Sequence, residues 1–115
     1  MSVKILGTRY NIKETTFLVL SNKNLTFIPN EIYRLVNLKE LYLDNNYISI
    51  IPPEISKLVN LTELHLYGNK ISNLTSNIGK LVNLRRLFLS DNQLGCFPLE
   101  ITNLINLTYL YLDNN

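Results

Sequence analysis

Leucines recur along this chain at a fixed interval. Leu41, Leu64, Leu87 and Leu110 are 23 positions apart, and so are Leu43, Leu66, Leu89 and Leu112. The hexapeptide LYLDNN occupies 41–46 and again 110–115, three intervals further on. Cut at this period, the chain gives units at 15–37, 38–60, 61–83 and 84–106 and a partial unit at 107–115. Only residues 1–14 lie outside. A period of this length predicts an array of stacked units.

Inside each unit the pattern changes period. The segment L-x-x-L-x-L alternates, which predicts a strand with one buried face. The later segment P-x-E-I-x-x-L-V-N has apolar residues three apart, which predicts one helical turn or a short 3₁₀ piece. The prolines before it (Pro29, Pro52, Pro53 and Pro98) suit a first-turn position, where a missing N–H costs nothing. One strand and one turn cannot bury a face alone, but stacked units can. Leu41, Leu43, Leu64, Leu66, Ile48, Ile71, Ile55, Ile78 and their equivalents are the predicted core.

Leu38, Leu41, Leu43, Asn46 and Ile48 fill the pattern L-x-x-L-x-L-x-x-N-x-L in order. In this the chain resembles leucine-rich repeat proteins. Its continuation I-P-x-x-I-x-x-L-x-N is similar to the 23-residue class of intracellular scaffold proteins, including the Ras-suppressor and Scribble-like groups. The resemblance implies an α/β solenoid, right-handed and curved. A parallel β-sheet would line its concave face and short helical or 3₁₀ turns its convex side.

Departures from the repeat carry information too. Lys23 stands where later units have Asn46, Asn69, Asn92 and Asn115. Such an asparagine can both donate to and accept from backbone groups that the turn leaves unpaired. Stacked, these residues should form a ladder, and Lys23 marks the first unit as N-terminal. Thr75 replaces the proline of the third unit, which predicts a looser convex turn there. Residues 1–14, with Val3, Ile5, Tyr10 and Ile12 around Gly7-Thr8, are expected to form a capping strand or hairpin over the N-terminal end of the core.

Alternation also says which side chains are free. Residues between the core leucines face outward, and in a parallel sheet equivalent positions form columns. One column runs Val19, Tyr42, His65, Phe88, Tyr111; its neighbour runs Phe17, Glu40, Glu63, Arg86, Tyr109. A third, at the strand exit, runs Ser21, Asp44, Tyr67, Ser90, Asp113. An exposed aromatic row matches the anchor chemistry of protein interfaces; the plainer explanation is rings that stack on one another and stabilise the sheet. Glu40 and Glu63 should be neighbours, an unfavourable pairing that Arg86 relieves only at Glu63. The expected partner-binding surface is therefore Tyr42, His65, Phe88, Tyr111, Phe17, Glu40, Glu63, Arg86, Tyr109, Asp44 and Tyr67.

Composition narrows the chemistry. The hydrophobic content of 46% and charged content of 17% are those of a folded chain, and 115 residues suffice for one domain. A net charge of +2 gives no case for nucleic acid. One cysteine excludes an internal disulfide framework and a cysteine-rich metal site. The lone His65, with Glu63 beside it, lacks a second imidazole or thiolate to complete a metal site. Cys96 reads as a small turn residue rather than a nucleophile. Neither G-x-G-x-x-G nor G-x-x-x-x-G-K-[ST] occurs, so nucleotide binding has no motif. No catalytic residue and no cofactor is expected.

No stretch reads as a signal peptide or a membrane span, so a cytoplasmic, reducing location is the expectation. The sequons at Asn24, Asn60, Asn73 and Asn106 then read as by-products of an Asn-Leu-Thr-rich repeat. The functional expectation is a non-enzymatic protein-binding module using the concave face. By resemblance alone the partner would be a small GTPase or another signalling protein. Two alternatives are a structural or self-associating segment of a longer repeat protein, and the recognition part of an effector enzyme whose catalytic part lies elsewhere. Leu107, Leu110 and Leu112 would form a strand with an unpaired outer edge. That predicts either a truncated chain or a homodimer joined through this edge.

Overall fold

The computed structural model describes all 115 residues. Two strands, β1 (Ser2–Ile5) and β2 (Thr8–Asn11), form an antiparallel hairpin in which Val3 faces Tyr10. Its two-residue turn places both Leu6 and Gly7 at positive φ, the geometry that suits the twist of a tight hairpin. Val3 and Ile5 are buried, and β1 packs against the first 3₁₀ turn.

The remainder is an α/β solenoid, in which the helical part is entirely 3₁₀. Strands β3 (Phe17–Val19), β4 (Glu40–Tyr42), β5 (Glu63–His65), β6 (Arg86–Phe88) and β7 (Tyr109–Tyr111) form one parallel sheet in chain order. Opposite them lie 3₁₀ turns at Asn30–Arg34, Pro53–Lys57, Ser76–Lys80 and Leu99–Asn103. None of these helices is long and apolar enough to cross a membrane. Strand register is strict: Leu18, Leu41, Leu64, Leu87 and Leu110 lie side by side. Leu41, Leu43, Ile48, Ile55, Leu64, Leu66, Ile71 and Ile78 are all fully buried.

Two expectations about the turns need correction. Pro29, Pro52 and Pro98 stand at the N-cap, one place before the first 3₁₀ residue, and only Pro53 lies inside the turn. Thr75 does not loosen its turn. It holds the same extended cap conformation as Pro52 and Pro98, and its hydroxyl accepts the N–H of Asn77 at 3.3 Å. A capping hydrogen bond replaces the fixed φ of proline.

The asparagine ladder is present. Nδ2 of Asn69 donates to the carbonyls of Leu43 and Leu66, each at 3.0 Å, while its Oδ1 accepts the N–H of Ile48 at 3.0 Å. Asn92 does the same for Leu66, Leu89 and Ile71, and Asn115 for Leu89, Leu112 and Leu94. A second ladder runs along the opposite end of the units. Asn60, Asn83 and Asn106 donate to the carbonyls of Val36, Val59 and Val82 in the preceding unit, at 2.9, 2.9 and 2.8 Å. Two residues beyond Asn60 and Asn106, the hydroxyls of Thr62 and Thr108 donate to the carbonyls of Lys39 and Arg85. Two of the Asn-Leu-Thr triplets thus have a structural use: both polar side chains stitch one unit to the unit before it.

Candidate functional site

The outward residues of the five-stranded sheet form the columns that alternation requires. Tyr42 pairs in register with His65, His65 with Phe88, and Phe88 with Tyr111. Their rings lie nearly parallel, with centroids 4.2, 4.3 and 4.9 Å apart. This spacing follows from the rungs themselves, which a parallel sheet sets about 4.8 Å apart. Stacking covers the ring faces, so Tyr42, His65 and Phe88 are half-buried, while Val19 and Tyr111 at the ends are exposed. The row presents ring edges to solvent along most of its length. It is therefore both a stabilising stack and an aromatic surface.

The second column is charged in the middle and aromatic at its ends. Glu40 and Glu63 face each other in register, with Phe17 beside Glu40 and Tyr109 beside Arg86. One guanidinium nitrogen of Arg86 lies 3.8 Å from Oε1 of Glu63, and the guanidinium sits 4.9 Å from the centroid of the Tyr109 ring. Glu40 takes part in no ion pair; the Tyr42 hydroxyl, a long 3.4 Å away, donates to it. Hydrogen bonding with Glu63, ahead of desolvation and the Glu63 charge, holds the Glu40 carboxyl above the usual carboxylate range.

Nε2 of His65 sits 3.6 Å from the same Glu63 oxygen that Arg86 approaches, yet it is buried without a hydrogen bond. Burial pulls its pKa down, against the opposing pull of Asp44 and Glu40. Tyr42 is pushed up by burial and then by the Glu40 and Glu63 charges. The centre of the face therefore brings two carboxyl groups and an imidazole together, with a guanidinium at the Arg86 end.

The third column departs from expectation. Asp44 is 6% exposed, so it is not an open partner contact. Its carboxylate accepts from the Ser21 hydroxyl at 2.7 Å and from the Asn45 amide at 3.3 Å. A hydrogen bond to Asp44 is also the main reason that the Tyr67 hydroxyl titrates high. Ser90 donates to Asp113 in the same way, three repeat intervals later. In both pairs a serine hydroxyl of one unit is tied to the aspartate of the next. Alternation finds the direction of a side chain but not the neighbour that covers it, and here the neighbour is a serine 23 positions earlier.

Elsewhere the chemistry is sparse. Cys96 is exposed, and no group of three or more His, Cys, Asp or Glu side chains is placed to hold a metal ion. One contact not anticipated from the sequence is Lys70, whose ammonium lies 5.3 Å from the centroid of the Tyr47 ring. The two occupy equivalent positions 23 apart, so the period could have found the pair.

A profile described as leucine rich repeats (2 copies) matches residues 36–79, and a single leucine rich repeat profile matches residues 83–104. No curated protein matches the chain. Among solved structures, a leucine-rich repeat protein of Leptospira interrogans is 34% identical, with a TM-score of 0.73 over 90% of this chain. An internalin of Listeria monocytogenes is 26% identical over 90% of the chain with a TM-score of 0.72, and internalin C2 of the same organism is 28% identical over 84% with a TM-score of 0.75. The chain covers only 32%, 37% and 41% of those three, respectively. Repeat pattern, sheet and matched profiles agree: the chain belongs to the leucine-rich repeat family.

Proposed function

We propose that this chain is a non-enzymatic protein-binding module that docks a partner on the outward face of its five-stranded sheet. The observation that carries this reading is the row Tyr42, His65, Phe88, Tyr111, whose ring edges are presented between charged neighbours. Aromatic side chains with a polar rim are the composition of interface centres. Membership of a family of repeat proteins with internalin relatives supports a binding role in general.

Five rungs span about 20 Å, whereas a standard interface buries about 800 Å² on each partner. The partner must therefore reach beyond the row onto the neighbouring column and the flanks. The test is the double variant Tyr42→Ala/Phe88→Ala, compared with the unaltered chain in capture of partners from cell extract. Loss of the captured proteins with an intact unfolding transition supports the reading. Unchanged capture would show that the rings serve only the sheet, a role their close stacking already fits.

A further inference from the structure

The charged column is unevenly completed. From the N-terminal edge it reads Phe17, Glu40, Glu63, Arg86, Tyr109: a ring at each end, two carboxylates, and one cation. At one end Arg86 pairs with Glu63 and lies over the Tyr109 ring. At the other end the carboxylate of Glu40 and the ring of Phe17 are both present, Phe17 is 61% exposed, and no cation joins them.

We infer that the partner docked on this face supplies the missing cation, an arginine side chain set over Glu40 and against Phe17. The inference rests on the concave-face reading above and adds the chemistry of the partner. It stands first on charge complementarity. Glu40 and Glu63 lie side by side, an arrangement that costs energy when both are ionised, and no cation of the chain pairs with Glu40. Arg86 reaches only Glu63, and His65, buried in its stack, favours the neutral form. Lys39 and Arg85, beside Glu40 and Arg86 in the chain, form no ion pair with either carboxylate.

The chain itself shows the geometry that works. Arg86 joins a carboxylate at 3.8 Å to a ring at 4.9 Å, and Glu40 with Phe17 offers the same two surfaces. A guanidinium suits this better than an ammonium, because its plane can lie on a ring while its fork of N–H donors meets carboxylate oxygens. There is also room. A shallow groove of about 410 Å³ opens beside Phe17, lined by Tyr10, Glu14, Thr15 and Val19 among others. A partner chain leaving Glu40 in that direction meets another carboxylate.

The test uses the full chain and twelve-residue peptides displayed on phage, with selection on the unaltered protein and counter-selection on Tyr42→Ala/Phe88→Ala. Surviving peptides should carry an arginine. Replacing it by glutamine should weaken binding about tenfold on the unaltered chain and less than about twofold on Glu40→Gln, the coupling of a close charge pair. Survivors that lack arginine, or whose arginine contributes equally on both proteins, overturn the inference and leave the concave-face reading standing. If every binder tolerates the counter-selection variant, the concave-face reading itself falls and the inference with it.

Discussion

The backbone N–H of Lys23 donates to Oδ1 of Asn46, 2.9 Å away and 23 positions later in the chain. Lys23 occupies the ladder position of the first unit, yet its own side chain forms no rung. The amide of Asn46 also accepts from Leu25 and donates to the carbonyls of Leu20 and Leu43. The turn that follows each of the first four solenoid strands is thus closed by an asparagine of the next unit.

That dependence should make the two ladders unequal. Asn69→Ala would leave the buried N–H of Ile48 without an acceptor and strip a donor from Leu43 and Leu66. A loss of about 2–3 kcal/mol is expected. Asn60→Ala removes an exposed bond to Val36 and should cost under about 1 kcal/mol. Urea unfolding of both variants measures the difference.

Glu40 should be worth more to a partner than to the fold. Replacing it by glutamine removes its repulsion with Glu63 across the strand pair, while Tyr42, His65 and Arg86 stay as they are. Glu40→Gln should gain a few tenths of a kcal/mol at pH 7, discounted for an exposed site. Because the folded state raises the Glu40 pKa, ionisation costs stability only as pH rises through that value. The gain should therefore vanish below about pH 4.5, and added salt should shrink it. Thermal melts across pH and ionic strength test both dependences.

His65 should act in the opposite sense. Burial lowers its pKa, so the fold favours the neutral ring; stability is full above the ordinary histidine value of 6.5 and is lost as pH falls below it. Asp44, Glu40 and Glu63 on its flanks oppose the loss, and Arg86 adds to it. His65→Phe keeps an aromatic ring between Tyr42 and Phe88 but cannot take up a proton. Its stability should fall less between pH 7 and pH 5 than that of the unaltered chain.

Gly79 and Gly95 should respond differently to alanine. A Cβ at Gly79 would stand 2.6 Å from the carbonyl oxygen of Glu100 in the next 3₁₀ turn, whereas one at Gly95 would meet nothing within 4 Å. Gly79→Ala should cost about 1–3 kcal/mol, and Gly95→Ala should stay within about 0.5 kcal/mol. Chemical denaturation of the pair separates crowding between turns from any general effect of glycine.

Much of this architecture was legible from spacing alone. A 23-residue period with alternating leucines placed Leu41, Leu64 and Leu87 side by side, and the same arithmetic placed Tyr42 against His65 and Glu40 against Glu63. What periodicity could not supply was the partner of a polar side chain. The outward direction of Asp44 follows from alternation, but its burial and its bond from the Ser21 hydroxyl do not. Thr75 looked like a defect because a missing proline is visible in sequence, while the hydroxyl contact to Asn77 is a matter of local geometry. The second asparagine ladder is hidden in the sequence because Asn60 and Asn106 also satisfy a glycosylation pattern, while their bonds to Val36 and Val82 depend on how the units stack.

The asparagine ladder also gives the molecule a mechanical polarity. Asn69, Asn92 and Asn115 each tie down the turn of the unit before their own. Peeling units away from the later end would take each clasp off the unit left behind, so every detachment primes the next. Peeling from the earlier end would leave the remaining clasps fastened. A force applied at one end should then unzip the stack more readily than the same force at the other, although the repeats are nearly alike.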